Sequence, residues 1–417
     1  MNNIISILEN RKTFSPFYFY TDLLKKVSNF YREFPNETIQ FSLIQEDDFE
    51  ASFGIYYIDP ISLPLLLSLA EQLKKYHNKT LNLSLSNNSS TNEVLAFLDR
   101  ADFFHLVGDN SNPTYPIGKK IFKYDKRYLG DFNSNNQRLE HKIRDYSLND
   151  DNLRNKIEGF TPERQRDYLV EYYTYKVKEH FDVLFRSNQY TKELVFDFIE
   201  ILAELITNGV LHSSSDAYVL MFSNSEKTSF SISDNGIGLF GSLLIKDTNN
   251  VITYYKKFEL FKELQKINNL KISNQIQDSL LSIFETLFYS FLKDRKGLFD
   301  LMCNVVLNCN GYFRLHNENS QIIVSSRMTN ELKQLALLRE NILNIHKLYL
   351  FEQISIEQFN FEINQQASSA KQKFIDLVIL IFSKYHNDVK YSSIRFYEVK
   401  FKGVHIEVEI PNSKKAW

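Results

Sequence analysis

The sequence predicts an α/β protein made of two unlike layers. Three observations carry that expectation. Strands and helices alternate through the first third of the chain, an amphipathic helix leads into a hairpin near the centre, and residues 401–410 alternate apolar and polar like a strand. Strand–helix alternation at these lengths implies a parallel sheet, whereas a helix running into a hairpin implies an antiparallel one.

In chain order, residues 53–60 read as a strand ending at Pro60, 62–76 as an amphipathic helix, 80–85 as a strand and 91–104 as a second helix. Together they place an α/β layer over residues 1–130, with no catalytic constellation of its own. Polar runs at 131–136 and 149–152 mark residues 131–190 as a helical connector. Inside it, Thr161 as cap and Pro162 at the first helical position start a helix that runs to about Phe185.

The central layer occupies residues 191–328. Val195, Phe198, Ile199, Leu202 and Ile206 form one stripe of a helix over 194–211, while Glu204, Asn208 and His212, spaced i, i+4 and i+8, form a row on the opposite face. A neutral Asn carbonyl suits a hard cation that takes most of its charge neutralisation from phosphates, and a carboxylate one turn away suits activation of a water. On the helix alone, a solvated polar face is the simpler reading. The runs 217–222 and 230–233, joined by the turn-forming residues 224–227, then read as a hairpin that ends on Asp234, and Gly236 and Gly238 follow. Alone, such an Asp-x-Gly-x-Gly is an ordinary turn; helix, hairpin and turn in this order form a constellation.

That constellation resembles the nucleotide site of the GHKL ATPases, the superfamily that includes gyrase-type, heat-shock-chaperone and mismatch-repair ATPases, sensor histidine kinases and anti-sigma-factor kinases. The resemblance implies that ATP and Mg²⁺ are bound. It makes Glu204 the base that orients the attacking water, Asn208 the Mg²⁺ ligand and Asp234 the acceptor for the adenine amino group, with Gly236 and Gly238 opening a lid. Residues 239–296 are then an enlarged lid with helices at 254–267 and 276–292 and a polar stretch at 246–250. The lid-closing glycine turn is reduced to Gly297, preceded by Arg295 and Lys296, whose cations either meet the phosphates or are solvated. The pairing His212-Ser213 is closer to the anti-sigma and histidine-kinase branch.

A helix over 301–307 and strands at 310–315 and 321–325 close this core. Residues 329–395, with helices at 331–350 and 370–385, are either an insertion into the sheet or a small third domain, and 396–417 supplies a last strand and tail that resembles the final sheet strand of GHKL domains. The run 57–70 resembles a STAS-type domain, the fold of anti-sigma-factor antagonists. Ser62 is the nearest match to their phosphorylated residue, but Pro60 and Pro64 flank it, which favours a layer that makes contacts without being phosphorylated.

Composition limits the alternatives. Lys plus Arg number 49 against 51 Asp plus Glu, a balance that argues against a dedicated nucleic-acid binder. Cys303 and Cys309 lack metal-type spacing and read as buried thiols of a reducing, cytoplasmic compartment. The longest apolar run, 374–382, is too short for a membrane span. His141 is the nearest candidate for a phospho-acceptor, and an exposed helical histidine is the simpler reading of it. The expected function is a regulatory ATPase whose nucleotide state gates a protein partner encoded nearby, with a homodimer left open. The alternatives are a protein-serine kinase acting on a STAS partner and an ATP-binding module without turnover.

Overall fold

Four short strands, β1 (Ile4–Ser6), β2 (Gln40–Ser42), β3 (Leu81–Ser84) and β4 (Phe122–Lys123), pair in parallel in chain order. Parallel neighbours need a crossover, and right-handed crossovers between strands laid down in sequence put the connecting helices on one face. Those helices, α1 (Leu24–Glu33), α2 (Leu63–His77) and α3 (Asn92–Arg100), share a core with Ile5, Phe41, Leu83 and Phe122. The other face carries the register row Gln40, Asn82 and Lys123, of which Asn82 and Lys123 are exposed. The computed structural model describes residues 4–45, 54–108, 118–129, 141–213, 216–245, 255–267, 270, 272–385 and 392–412; the polar runs at 131–136 and 246–250 lie outside them.

Two expectations for this layer change in detail. The strand at 53–60 is only Tyr57–Ile58, and it pairs with Thr13–Phe14 outside the main sheet. The helix at 91–104 stops at Arg100, because Asp102 takes a left-handed φ of 60° and a separate turn of helix begins at Phe103.

The second sheet is antiparallel and holds β5 (Arg144–Tyr146), β6 (Ala217–Ser223), β7 (Lys227–Asp234), β8 (Tyr312–Val324) and β9 (Ile394–Pro411), in the order β8-β9-β7-β6-β5. Helices α4 (Pro162–Ser187) and α5 (Val195–Ser213) pack along one another on one face of it. Thr161 caps α4 by accepting from the Arg164 amide at 3.3 Å. The span 131–190 therefore contributes an edge strand and a packed helix to this layer, which goes beyond a connector.

β6 is buried on both faces. Ala217, Val219 and Met221 join the helical core, whereas Tyr218 and Leu220 join the core of the first layer, together with Tyr397 and Phe401. The molecule thus stacks parallel sheet, α1 to α3, antiparallel sheet and outer helices. Between the two halves lie buried polar groups as well: Tyr20 stacks on His316 with ring centroids 3.7 Å apart and hydrogen-bonds His405 Nδ1 at 3.1 Å.

Beyond β7 come α6 (Gly238–Ile245), α7 (Glu259–Gln265), α8 (Asn274–Leu292) and α9 (Leu298–Cys303). The two expected strands at 310–325 are one strand, β8, with register shifts at 317–320. Helices α10 (Thr329–Leu350) and α11 (Ile356–Leu380) leave from β8 and return into β9, its direct neighbour, so residues 329–395 are an insertion between paired strands. Phe374 of α11 packs against Phe288 and Phe291 of α8 and Phe299 of α9, with centroids 5.5 to 5.7 Å apart. Cys303 and Cys309 are free and buried, and burial pushes both thiols up. Among the described residues, no helix is long and apolar enough to cross a membrane.

Candidate functional site

α5 turns its apolar stripe to the sheet and its polar row toward the end of β7, where the chain leaves the sheet. The cavity between them encloses about 110 Å³. Its floor is Glu204, Asn208 and Gly209 of α5, Asp234 of β7, and Val404 and Ile406 of β9; its roof comes from Gly236, Gly238 and Ser242 on one side and from Thr286, Tyr289, Lys293 and Gly297 on the other. Glu204, Asn208, Asp234, Gly236, Gly238 and Gly297, selected from the sequence, therefore meet at one place. Lys296 is not in the lining: its ammonium pairs with Asp197 at 2.6 Å, and Arg295 pairs with Asp167 at 2.9 Å. The His212 and Ser213 side chains lie outside the described residues.

Asp234 is held by backbone. Its Oδ1 accepts from the Gly236 amide at 2.7 Å and from the Val404 amide at 3.4 Å. Burial raises the carboxyl to about 6, and those two N–H groups pull in the opposite direction. Among the described residues Oδ2 has no hydrogen-bond partner, and it lies over Gly209, where an added Cβ would sit 3.7 Å away. Gly238 has φ of +73°, a conformation that favours glycine, and the Leu239 amide at the start of α6 donates to Asn317 Oδ1 at 2.9 Å.

Glu204 is 3% exposed. Its Oε1 accepts from Asn208 Nδ2 at 3.3 Å, from Lys293 Nζ at 3.4 Å and from the Arg166 guanidinium, while Oε2 is buried with no partner among the described residues. The hydroxyl of Thr286, on the roof, is likewise buried without a partner. Burial and the nearby guanidiniums of Arg166 and Arg295 hold the Lys293 ammonium well below its usual range. A buried carboxyl beside a guanidinium and an amine, with one oxygen free toward a cavity, can orient a water or a polar ligand there.

Sequence reasoning missed three of these residues. Arg166 sits on α4, in the span read as a connector. Lys293 closes α8 among apolar neighbours, and nothing in its sequence setting separates it from Arg295 and Lys296. Gly403 did leave a signal: a lone glycine in an alternating strand marks a close backbone approach. Its φ is +107°, and a Cβ there would come within 1.9 Å of the Asp234 carbonyl oxygen.

No protein-family model matches the chain, and no curated protein or solved structure matches it either. The functional reading therefore stands on the site itself.

Proposed function

We propose that the chain is a GHKL-like ATPase that binds ATP with Mg²⁺ in this cavity, and that its nucleotide state gates contact with a protein partner in the cytoplasm. The observation that carries the reading is the convergence on one cavity of Glu204, Asn208, Asp234, Gly236, Gly238 and Gly297, which come from distant stretches of the sequence. The free polar atoms suit the ligand. Asp234 Oδ2 is an acceptor for the adenine amino group, the Asn208 carbonyl is a neutral oxygen for the metal, and Glu204 Oε2 is a base for water. Mg²⁺, when bound, neutralises phosphate oxygens; the Arg166 guanidinium supplies fixed positive charge on the same side and Lys293 a further hydrogen-bonding amine, the place expected of Lys296.

The space of about 110 Å³ is small beside the roughly 300–1,000 Å³ of ligand pockets, which favours a roof of α6 and α8 that withdraws to admit nucleotide. That makes the lid part of the binding step. The N-terminal layer is read as a STAS-like contact layer. Ser62 is fully buried and its hydroxyl donates to the carbonyls of Asp59 and Phe14, at 2.6 and 3.1 Å, which supports contact without phosphorylation at that serine.

One observation favours a second reading, a nucleotide binder with little turnover: three donors already occupy Glu204 Oε1 and hold the carboxyl in fixed contacts. Calorimetry with ATP and GTP, with and without Mg²⁺, tests binding, and release of phosphate from γ-labelled ATP separates the two readings. ATP binding that depends on Mg²⁺ and exceeds GTP binding is expected. No binding of either nucleotide overturns the assignment.

A further inference from the structure

Asp234 faces the cavity, but its neighbour Asn235 points the other way, through the sheet and into the N-terminal layer, where it is 6% exposed. There α2 grips it with two consecutive side chains. Asn235 Nδ2 donates to Glu71 Oε2 at 2.6 Å, and Gln72 Nε2 donates to Asn235 Oδ1 at 2.8 Å. Glu71 Oε2 also accepts from Tyr218 on β6 at 3.1 Å, which fixes the carboxylate against the sheet. The Gln72 amide reaches a second target, the carbonyl of Lys402, at 2.9 Å. Lys402 precedes Gly403, whose backbone lies against the Asp234 carbonyl, and Val404, whose amide donates to the Asp234 carboxylate.

We infer that Gln72 of the N-terminal layer is a positioning residue for the nucleotide site: its amide ties together the two backbone segments, 234–236 and 402–404, that hold the Asp234 carboxylate in place. The inference rests on the nucleotide reading above and adds to it that the N-terminal layer helps to build the base-recognition end of the site. Gln72 does not line the cavity and touches no ligand. Its effect runs through geometry, because both of its acceptors belong to segments that contact Asp234. A partner that shifts α2 changes base recognition directly, without acting on the lid. Glutamine suits the position since both targets are acceptors and its amide nitrogen carries two N–H groups, one for each.

The test uses the full chain with Gln72→Leu, which removes the donors, and Gln72→Glu, which keeps the size but presents an acceptor to two acceptors. Each is compared with wild type for ATP and GTP affinity by calorimetry, for melting temperature, and for amide exchange at Gly236 and Val404 without nucleotide. Both variants are expected to bind ATP about three- to tenfold more weakly, as for the loss of one or two ordinary hydrogen bonds, and to discriminate less against GTP. Exchange at Gly236 and Val404 is expected to quicken. A merely structural role would lower the melting temperature and leave affinity, base preference and those two amides unchanged, and that result overturns the inference. If wild type itself binds no ATP, the nucleotide reading fails, while the exchange at Gly236 and Val404 still decides whether Gln72 positions them.

Discussion

Glu204 and Asp234 are both carboxylates in one cavity, yet their surroundings set them to different tasks. Glu204 is buried and shares Oε1 between Arg166 and Lys293, so truncating it to alanine leaves the part-buried Arg166 guanidinium without its carboxylate. Breaking a buried pair in this way costs about 3–5 kcal/mol. Glu204→Ala is therefore expected to destabilise the fold, whereas Glu204→Gln keeps the volume and lowers turnover by about 10²- to 10⁴-fold with ATP affinity within a few-fold of wild type. Urea unfolding alongside phosphate release checks both halves, and equal turnover in Glu204→Gln and wild type contradicts the role. Asp234 makes a pH prediction. Its carboxyl lies at about 6 in the folded chain against 3.8 when free, so the stability it lends is complete below about pH 4 and is lost as the pH climbs through 6. The proposed adenine recognition needs the ionised form and runs the other way. ATP affinity is expected to rise about tenfold from pH 5 to pH 7 and then level off, from the ionised fraction alone; calorimetric titrations across that range test it, and a flat profile removes Asp234 from base recognition. Asp234→Asn is expected to weaken ATP binding about ten- to a hundredfold at neutral pH, since a hydrogen bond to a charged group contributes about 1.5–3 kcal/mol.

At the scale of elements, the inserted hairpin of α10 and α11 braces the site through Arg339, beside the packing of Phe374. Arg339 of α10, 3% exposed, pairs through Nε and one terminal nitrogen with both oxygens of Asp300, each at 3.0 Å, and donates to the carbonyls of Phe291, Lys293 and Arg295. Asp300 in turn accepts from the Gly297 amide at 2.9 Å. One guanidinium thus fixes the loop that carries Lys293 and Gly297 into the cavity roof. Arg339→Met is expected to cost about 3–5 kcal/mol in urea unfolding, and Arg339→Lys is not expected to restore it, because an ammonium cannot span a carboxylate and three carbonyls in one plane. Full stability in the lysine variant contradicts this. None of the clamp was legible in the sequence, where Arg339 is one cation among many on an amphipathic helix. The elements that were legible are those whose pattern is local: α2, β3, α5 and β6 lie within a residue or two of expectation and β7 begins three residues earlier than expected, because apolar period and turn chemistry set them. The short strands β1, β2 and β4 escaped, since two or three residues carry no period. The floor of the cavity was legible because its residues sit in compact motifs; Arg166 and Lys293 were not, because only packing brings them to Glu204.

For the whole molecule, the arrangement of layers changes what a truncation means. The first layer packs on one face of the second sheet, so removing residues 1–130 exposes Tyr218, Leu220, Tyr397 and Phe401 together with the buried carboxyl of Glu407. A shortened chain starting after residue 130 is expected to be insoluble or to lose near-ultraviolet dichroism, and a soluble, cooperatively unfolding fragment would contradict the shared core. Gating experiments therefore need point variants in the full chain.

The position of β9 has a consequence for how the chain is made. It lies between β8 and β7 in the sheet, yet it follows both in the sequence. Until the ribosome has released residues up to Pro411, β7 and β8 each present an unpaired edge, and the backbone that braces Asp234 does not yet exist. Unpaired strand edges on a nascent chain invite mispairing. The cavity thus forms late in synthesis, and a chain halted before Ile394 carries every other wall of it around an open seam.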